Sequence, residues 1–127
     1  MKIGVLEDDP SICEVLTVML EQNHHVVSIY QRGWDILDAV FFEESAVIPQ
    51  PFDILLVDLL LQGEISGVQV IAQMRQSFPH MPIVVISAVS SQDLDNVKRM
   101  YPQVQIIQKP FTMDVLLAAL ETAVSYS

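Results

Sequence analysis

The residues of this 127-residue chain best suited to chemistry are few and far apart. Glu7-Asp8-Asp9 run in succession after the apolar stretch KIGVL and directly before Pro10. Asp58 interrupts a run otherwise made of Ile, Leu and Val; Ser87 closes the apolar stretch PIVVIS; Lys109-Pro110 stands just beyond VQII. An unpaired carboxylate in the setting of Asp58 is costly to desolvate, so something must compensate it. Glu7, Asp8 and Asp58, drawn from two strand ends, make a hard, oxygen-rich pocket suited to Mg²⁺, which prefers octahedral oxygen ligands and keeps several waters. Lys109 adds a mobile cation able to pair with a carboxylate or a bound phosphoryl oxygen, and Ser87 adds a hydroxyl that can donate to the same group. Together they suit phosphoryl transfer to a carboxylate: an aspartate attacks phosphorus and forms an acyl phosphate, provided a metal and a lysine neutralise the transferred oxygens.

Bringing these residues together falls to the elements between them. Strand-length apolar runs recur at 2–6, 25–29, 53–57, 82–87 and 104–107, with amphipathic stretches at 10–22, 33–43, 67–77, 91–100 and 112–124. The third and fourth runs are almost unbroken Ile, Leu and Val, the pattern of central parallel strands covered on both faces. Strict strand–helix alternation with short links predicts an α/β domain: an open, doubly wound five-stranded parallel sheet with five helices and right-handed crossovers. Ligands in such sheets bind beyond the carboxyl ends of the strands, and Glu7, Asp8, Asp58, Ser87 and Lys109 all fall on that edge. Asp9 and Pro10 read as the cap and first residue of the first helix, and Thr112 as the cap of the last. Two prolines in EESAVIPQP (43–51) end the second helix and lead into a loop.

Length and composition bound the rest. The chain fits a single domain spanning 1–127, with no output domain visible. A hydrophobic fraction of 51% describes a well-filled core. The net charge of −10, from 16 acidic against 6 basic residues, repels phosphate backbones and anionic lipid alike and argues against direct nucleic-acid binding. No apolar run approaches the ~18–20 residues of a membrane span and the amino terminus lacks a secretory core, so a cytoplasmic location is expected. Cys13 reads as a small buried residue, the adjacent His24 and His25 as turn residues, and Trp34, Phe41 and Phe42 as the packing of the second helix against the sheet.

With VLEDDP, ILLVDLLL, VVISA and IQKPF in this order and at these spacings, the sequence resembles the receiver domain of bacterial two-component response regulators over essentially its whole length. The resemblance implies a flavodoxin-like strand order of 2-1-3-4-5. It further implies that Asp58 is the phosphoacceptor, that Glu7 and Asp8 hold Mg²⁺ directly or through water, and that the backbone carbonyl of Leu60 completes the protein ligands. Lys109 would contact the phosphoryl group, Ser87 would be the switch hydroxyl, and the Lys109-Pro110 bond would be cis. The implied partners are a sensor histidine kinase or phosphotransfer protein upstream and a protein partner or output domain downstream. The usual partner face would offer Asp93, Val97, Met100 and Ile106.

Some positions depart from the family's habit. Gln62 stands where a proline is more usual, and the path to Gly67 is one residue longer. Ile106 replaces the usual Tyr or Phe, and an isoleucine cannot reproduce the inward and outward rotamers of a ring. Leu60 and Val89, two residues beyond Asp58 and Ser87, are apolar where they would flank a hydrolytic water, which predicts slow self-dephosphorylation. The alternative is a receiver-like interaction module that works without phosphorylation, favoured by Ile106 and the altered loop. Two enzyme classes on the same architecture fit less well. A flavin carrier wants a Ser/Thr- and Gly-rich loop where the acids stand, and an aspartate-nucleophile phosphatase wants an aspartate at Leu60.

Overall fold

The computed structural model describes residues 1–41, 50–61, 63–88 and 92–125, with the side chain of residue 93 excepted. Five strands, β1 (Lys2–Leu6), β2 (Val26–Tyr30), β3 (Ile54–Asp58), β4 (Ile83–Ser87) and β5 (Gln105–Gln108), alternate with five helices. The helices are α1 (Pro10–Gln22), α2 (Gly33–Phe41), α3 (Gly67–Ser77), α4 (Gln92–Met100) and α5 (Met113–Ser125). All strand pairs are parallel and the order is β2-β1-β3-β4-β5, as the resemblance implied. This is the flavodoxin-like doubly wound fold.

The core divides by the two-residue period of the central strands. Ile54 and Leu56 of β3, with Val84 and Ile86 of β4, face one layer with Leu16 and Leu20 of α1 and Leu116 and Leu120 of α5. Leu55 and Val57, with Ile83 and Val85, face the other layer with Ile36 of α2, Ile71 of α3 and Leu94 of α4. Every residue of β3 and β4 is buried, which explains their unbroken apolar sequences. Gly4 is needed where β1 passes Phe52, since a Cβ there would lie 2.9 Å from the Phe52 ring. Phe52 in turn meets Tyr30 edge to face, with ring centroids 6.0 Å apart.

The helix ends follow the capping chemistry anticipated from sequence. Asp9 Oδ1 accepts from the Ser11 N–H at 2.9 Å and Pro10 occupies the first turn. Thr112 Oγ1 accepts from the Val115 N–H at 3.2 Å. Ser66 and Gln69 form a reciprocal capping box at the start of α3, a pairing overlooked in the sequence although its S-x-x-Q pattern was legible there. At the end of α1, His24 adopts φ 67°, and the His25 N–H donates to the Leu20 carbonyl. The histidine pair is therefore a helix terminator, and β2 begins one residue later than expected.

Two side-chain expectations are corrected. Trp34 does not pack α2 against the sheet: it is 47% exposed, and Ile36, Leu37 and Val40 take that role because they occupy the sheet-facing stripe. Val97 is not part of an exposed face, being 1% exposed in the core beneath α4, whereas Met100 is exposed and Ile106 half-buried. The expectations for Phe42, Gln62, Val89 and most of 43–51 lie outside the described residues.

Candidate functional site

Glu7 is the residue that follows β1, and its N–H donates to the Tyr30 carbonyl at 3.0 Å, carrying the β1–β2 ladder one step past the strand. The backbone thereby fixes its side chain over the carboxyl edge of the sheet, where it is wholly buried. Glu7 Oε1 accepts from the Asp9 N–H at 3.2 Å, and Oε2 accepts from Lys109 Nζ at 2.9 Å. Cys13, buried as expected, directs its thiol to the Glu7 carbonyl at 3.2 Å, so the turn between β1 and α1 is tied on both sides.

Asp58 ends β3 and is 3% exposed. Its Oδ1 accepts from the Leu60 N–H at 2.9 Å, and its Oδ2 lies 3.3 Å from Lys109 Nζ. Lys109 reaches both acids from the β5–α5 loop, where its own N–H donates to the Ser87 carbonyl at 2.8 Å. That bond joins the ends of β4 and β5 and sets buried Ser87 on the same edge. The Lys109-Pro110 peptide is cis, as implied by the resemblance. Leu60 contributes its backbone N–H to Asp58, while its side chain stands at the surface. Of the acidic triplet, Glu7 and half-buried Asp8 join Asp58, and Asp9 serves as the cap.

One carboxylate oxygen each from Glu7, Asp8 and Asp58 can be chosen so that all lie within 4.8 Å of one another. Among the described residues, three carboxylates meet one ammonium here, so the cluster is rich in negative charge. Burial is the main force pushing the Glu7 carboxyl above its ordinary value; the Lys109 hydrogen bond opposes it and the charge of Asp58 reinforces it. For Lys109, burial alone would lower the value, but the hydrogen bond to Glu7 and the Asp58 and Glu7 charges together raise it, keeping the amine charged. An all-oxygen donor set with that negative charge fits a hard divalent cation such as Mg²⁺.

The α3 helix is held close to this edge. A Cβ on Gly67 would lie 2.5 Å from the Asp58 carbonyl oxygen and 3.0 Å from Leu59 Cα, so glycine lets the helix start against the strand end.

The chain is thus an open parallel-sheet α/β domain with a buried aspartate, two further acids and a lysine at its carboxyl edge. The sequence pattern of the response regulator receiver domain matches residues 3–121, and the chain belongs to that family, the receivers of two-component signalling. The DNA-binding transcriptional regulator NtrC of Escherichia coli K12 is 29% identical over 126 residues, covering 98% of this chain and 25% of that protein. The uncharacterized transcriptional regulatory protein YkoG of Bacillus subtilis is 29% identical over 126 residues, which make up 50% of its length. The chain thus spans a quarter to a half of these curated relatives. Among solved structures, a response regulator receiver protein from Sinorhizobium medicae superimposes with a TM-score of 0.82 at 22% identity, covering 98% of this chain and 94% of its own. A receiver domain protein from Methanospirillum hungatei gives 0.81 at 18% identity, with 98% and 93% coverage. Among the described residues, no helix is long and apolar enough to cross a membrane.

Proposed function

We propose that this chain is a phosphorylation-dependent receiver in which Asp58 accepts a phosphoryl group from a histidine kinase or phosphotransfer protein. The observation that carries the reading is the Asp58 carboxylate, buried at a strand end and shared with Glu7 through one lysine, at 3.3 Å and 2.9 Å. In the transfer, an Asp58 oxygen forms a bond to phosphorus as the bond to the donor breaks and its electron pair leaves with the donor, yielding an acyl phosphate. The Leu60 N–H on Oδ1 orients the nucleophile. Lys109, already between the two acids, needs only a short movement to meet a phosphoryl oxygen, and the Ser87 hydroxyl supplies a second donor from the neighbouring strand.

Glu7, Asp8 and Asp58, with the Leu60 carbonyl, would hold Mg²⁺. Bound there, the ion would neutralise charge developing on the transferred oxygens. The domain catalyses only its own phosphorylation and dephosphorylation. A single receiver domain occupies the chain, and its phosphorylation state is passed to a separate protein or to an output domain in a longer protein. The NtrC likeness favours the second arrangement.

Incubation with Mg²⁺ and acetyl phosphate tests the reading. Wild type gains one acid-stable, base-labile phosphoryl group and Asp58→Asn gains none. A protein that takes up no label from acetyl phosphate or a phosphorylated kinase, with Mg²⁺ present, is the phosphorylation-independent module instead.

A further inference from the structure

On the face of the sheet covered by α2 and α3 lies a groove of about 460 Å³, formed by Trp34, Leu37, Phe41, Ile65, Gln69 and Gln73. It is distinct from the acid cluster in lining, and nothing in the phosphorylation chemistry uses it. Trp34 and Phe41 are seven positions apart on one helical stripe, so the α2 wall runs about 10 Å at 1.5 Å per residue. The opposite wall begins at Ile65, whose side chain fills the space beside Gly33, where a Cβ would lie 2.8 Å from Ile65 Cγ2. This contact locks the loop before α3 to the start of α2. The Trp34 indole N–H reaches Glu64 Oε2 at 3.4 Å and closes one end. An exposed tryptophan beside a half-buried phenylalanine is an unusual outlay of apolar surface on so acidic a chain.

The charges around the groove that no ion pair engages among the described residues are acidic. Asp38 projects from the same stripe of α2, four residues after Trp34, and is exposed, as is Glu64. Arg32, the nearby cation, is answered by Asp35 at 3.3 Å. Among the described residues, no ion pair reaches Asp38 or Glu64. A partner whose anchor side chain is flanked by acids would meet repulsion here and from the whole chain, with its net charge of −10. A basic flank would be drawn in and held.

We propose that the α2–α3 groove is a docking site for a short segment of a protein partner that carries a bulky apolar or aromatic anchor between Lys or Arg residues. The anchor enters between Trp34, Phe41 and Ile65, and the flanking cations pair with Asp38 and Glu64. Aromatic anchors in pockets dominate binding energies of this kind, while the charges select the partner.

Trp34 is the single tryptophan of the chain, so its fluorescence reports on the groove directly. The full, unphosphorylated chain is titrated with a short tryptophan-free peptide bearing Leu and Phe anchors flanked by Lys, and with its counterpart bearing Glu in place of Lys. The Lys peptide gives a saturable blue shift, and the Glu peptide binds at least about tenfold more weakly. The double variant Asp38→Lys/Glu64→Lys, both exposed positions, reverses that preference while keeping its circular dichroism spectrum. Absence of a saturable shift, or equal binding of the two peptides, overturns the proposal. So does Trp34 emission as far to the blue as that of a wholly buried indole before any peptide is added: a shift that dilution reverses assigns the groove to a second copy, and one that dilution leaves unchanged assigns it to the chain's own residues. No arm requires Asp58 to be phosphorylated, so the outcome is independent of the reading given above.

Discussion

Replacing Asp8 by Asn should change the order of stability of mutant and wild type according to whether Mg²⁺ is present. Asp8 shares its neighbourhood with Glu7 and Asp58, with ligand oxygens within 4.8 Å, and among the described residues the cation paired with those two acids is Lys109. The carboxylate therefore faces a net charge of about −1. At 4.8 Å and an effective dielectric constant of ~20, one unit repulsion costs about 3.5 kcal/mol. Asp8 is only half-buried, so solvent screening reduces this to about 1–2 kcal/mol. In EDTA, Asp8→Asn should be the more stable protein by that amount, a rise in Tm of about 3–8 °C for a domain of this size. A ligand at a hundred times its Kd adds about 2.7 kcal/mol to the state that binds it, so saturating Mg²⁺ should lift wild type past the mutant. Thermal and urea unfolding of both proteins, with EDTA and with an Mg²⁺ series, measure the crossing. If Asp8→Asn is no more stable than wild type in EDTA, and both respond equally to Mg²⁺, the acid cluster is not a repulsive metal pocket.

Gly67→Ala places a Cβ 2.5 Å from the Asp58 carbonyl, so it should cost about 1–3 kcal/mol in urea unfolding and slow labelling of Asp58; neutral stability would show that α3 is free to withdraw. Because burial raises the Glu7 carboxyl in the folded state, the metal-free folded chain binds more protons than the unfolded one above the ordinary carboxylate value of 4.5. Its stability should therefore fall as pH rises through that window, and Glu7→Gln should flatten the dependence; a slope of the opposite sign in both proteins refutes the assignment. Leu60 presents an exposed apolar side chain two residues from Asp58, and Leu60→Asn should speed loss of the acyl phosphate several-fold in a decay time course. Unchanged decay would mean that water reaches the phosphoryl group by a path Leu60 does not guard.

The architecture was legible because the central strands are buried on both faces, and five-residue runs such as ILLVD admit no other reading beside their helical neighbours. The site was legible for a related reason. Its charged residues interrupt or immediately follow apolar runs, and a parallel sheet sends every such residue to one edge. What escaped was side-chain direction within helices. Trp34 and Val97 each sit next to residues with the opposite exposure, and helical periodicity over nine residues leaves that choice to tertiary packing. The way Lys109 divides its contacts between Glu7 and Asp58 also lay beyond the sequence, since 102 and 51 residues separate the partners. The capping box at Ser66 and Gln69 needed only a closer reading of local pattern.

The central claim is that the buried carboxylate at the end of β3 is the group that carries the phosphoryl. Borohydride reduction converts an aspartyl phosphate to homoserine, which marks the modified position permanently for peptide mass spectrometry. After treatment with acetyl phosphate and Mg²⁺, wild type should yield homoserine at position 58, and omission of Mg²⁺ should abolish it. Under this account no other aspartate is converted to homoserine, and Glu7, whose acyl phosphate would be reduced to 2-amino-5-hydroxypentanoic acid, stays unmodified. Modification at another position, or none at 58 with Mg²⁺ present, contradicts it.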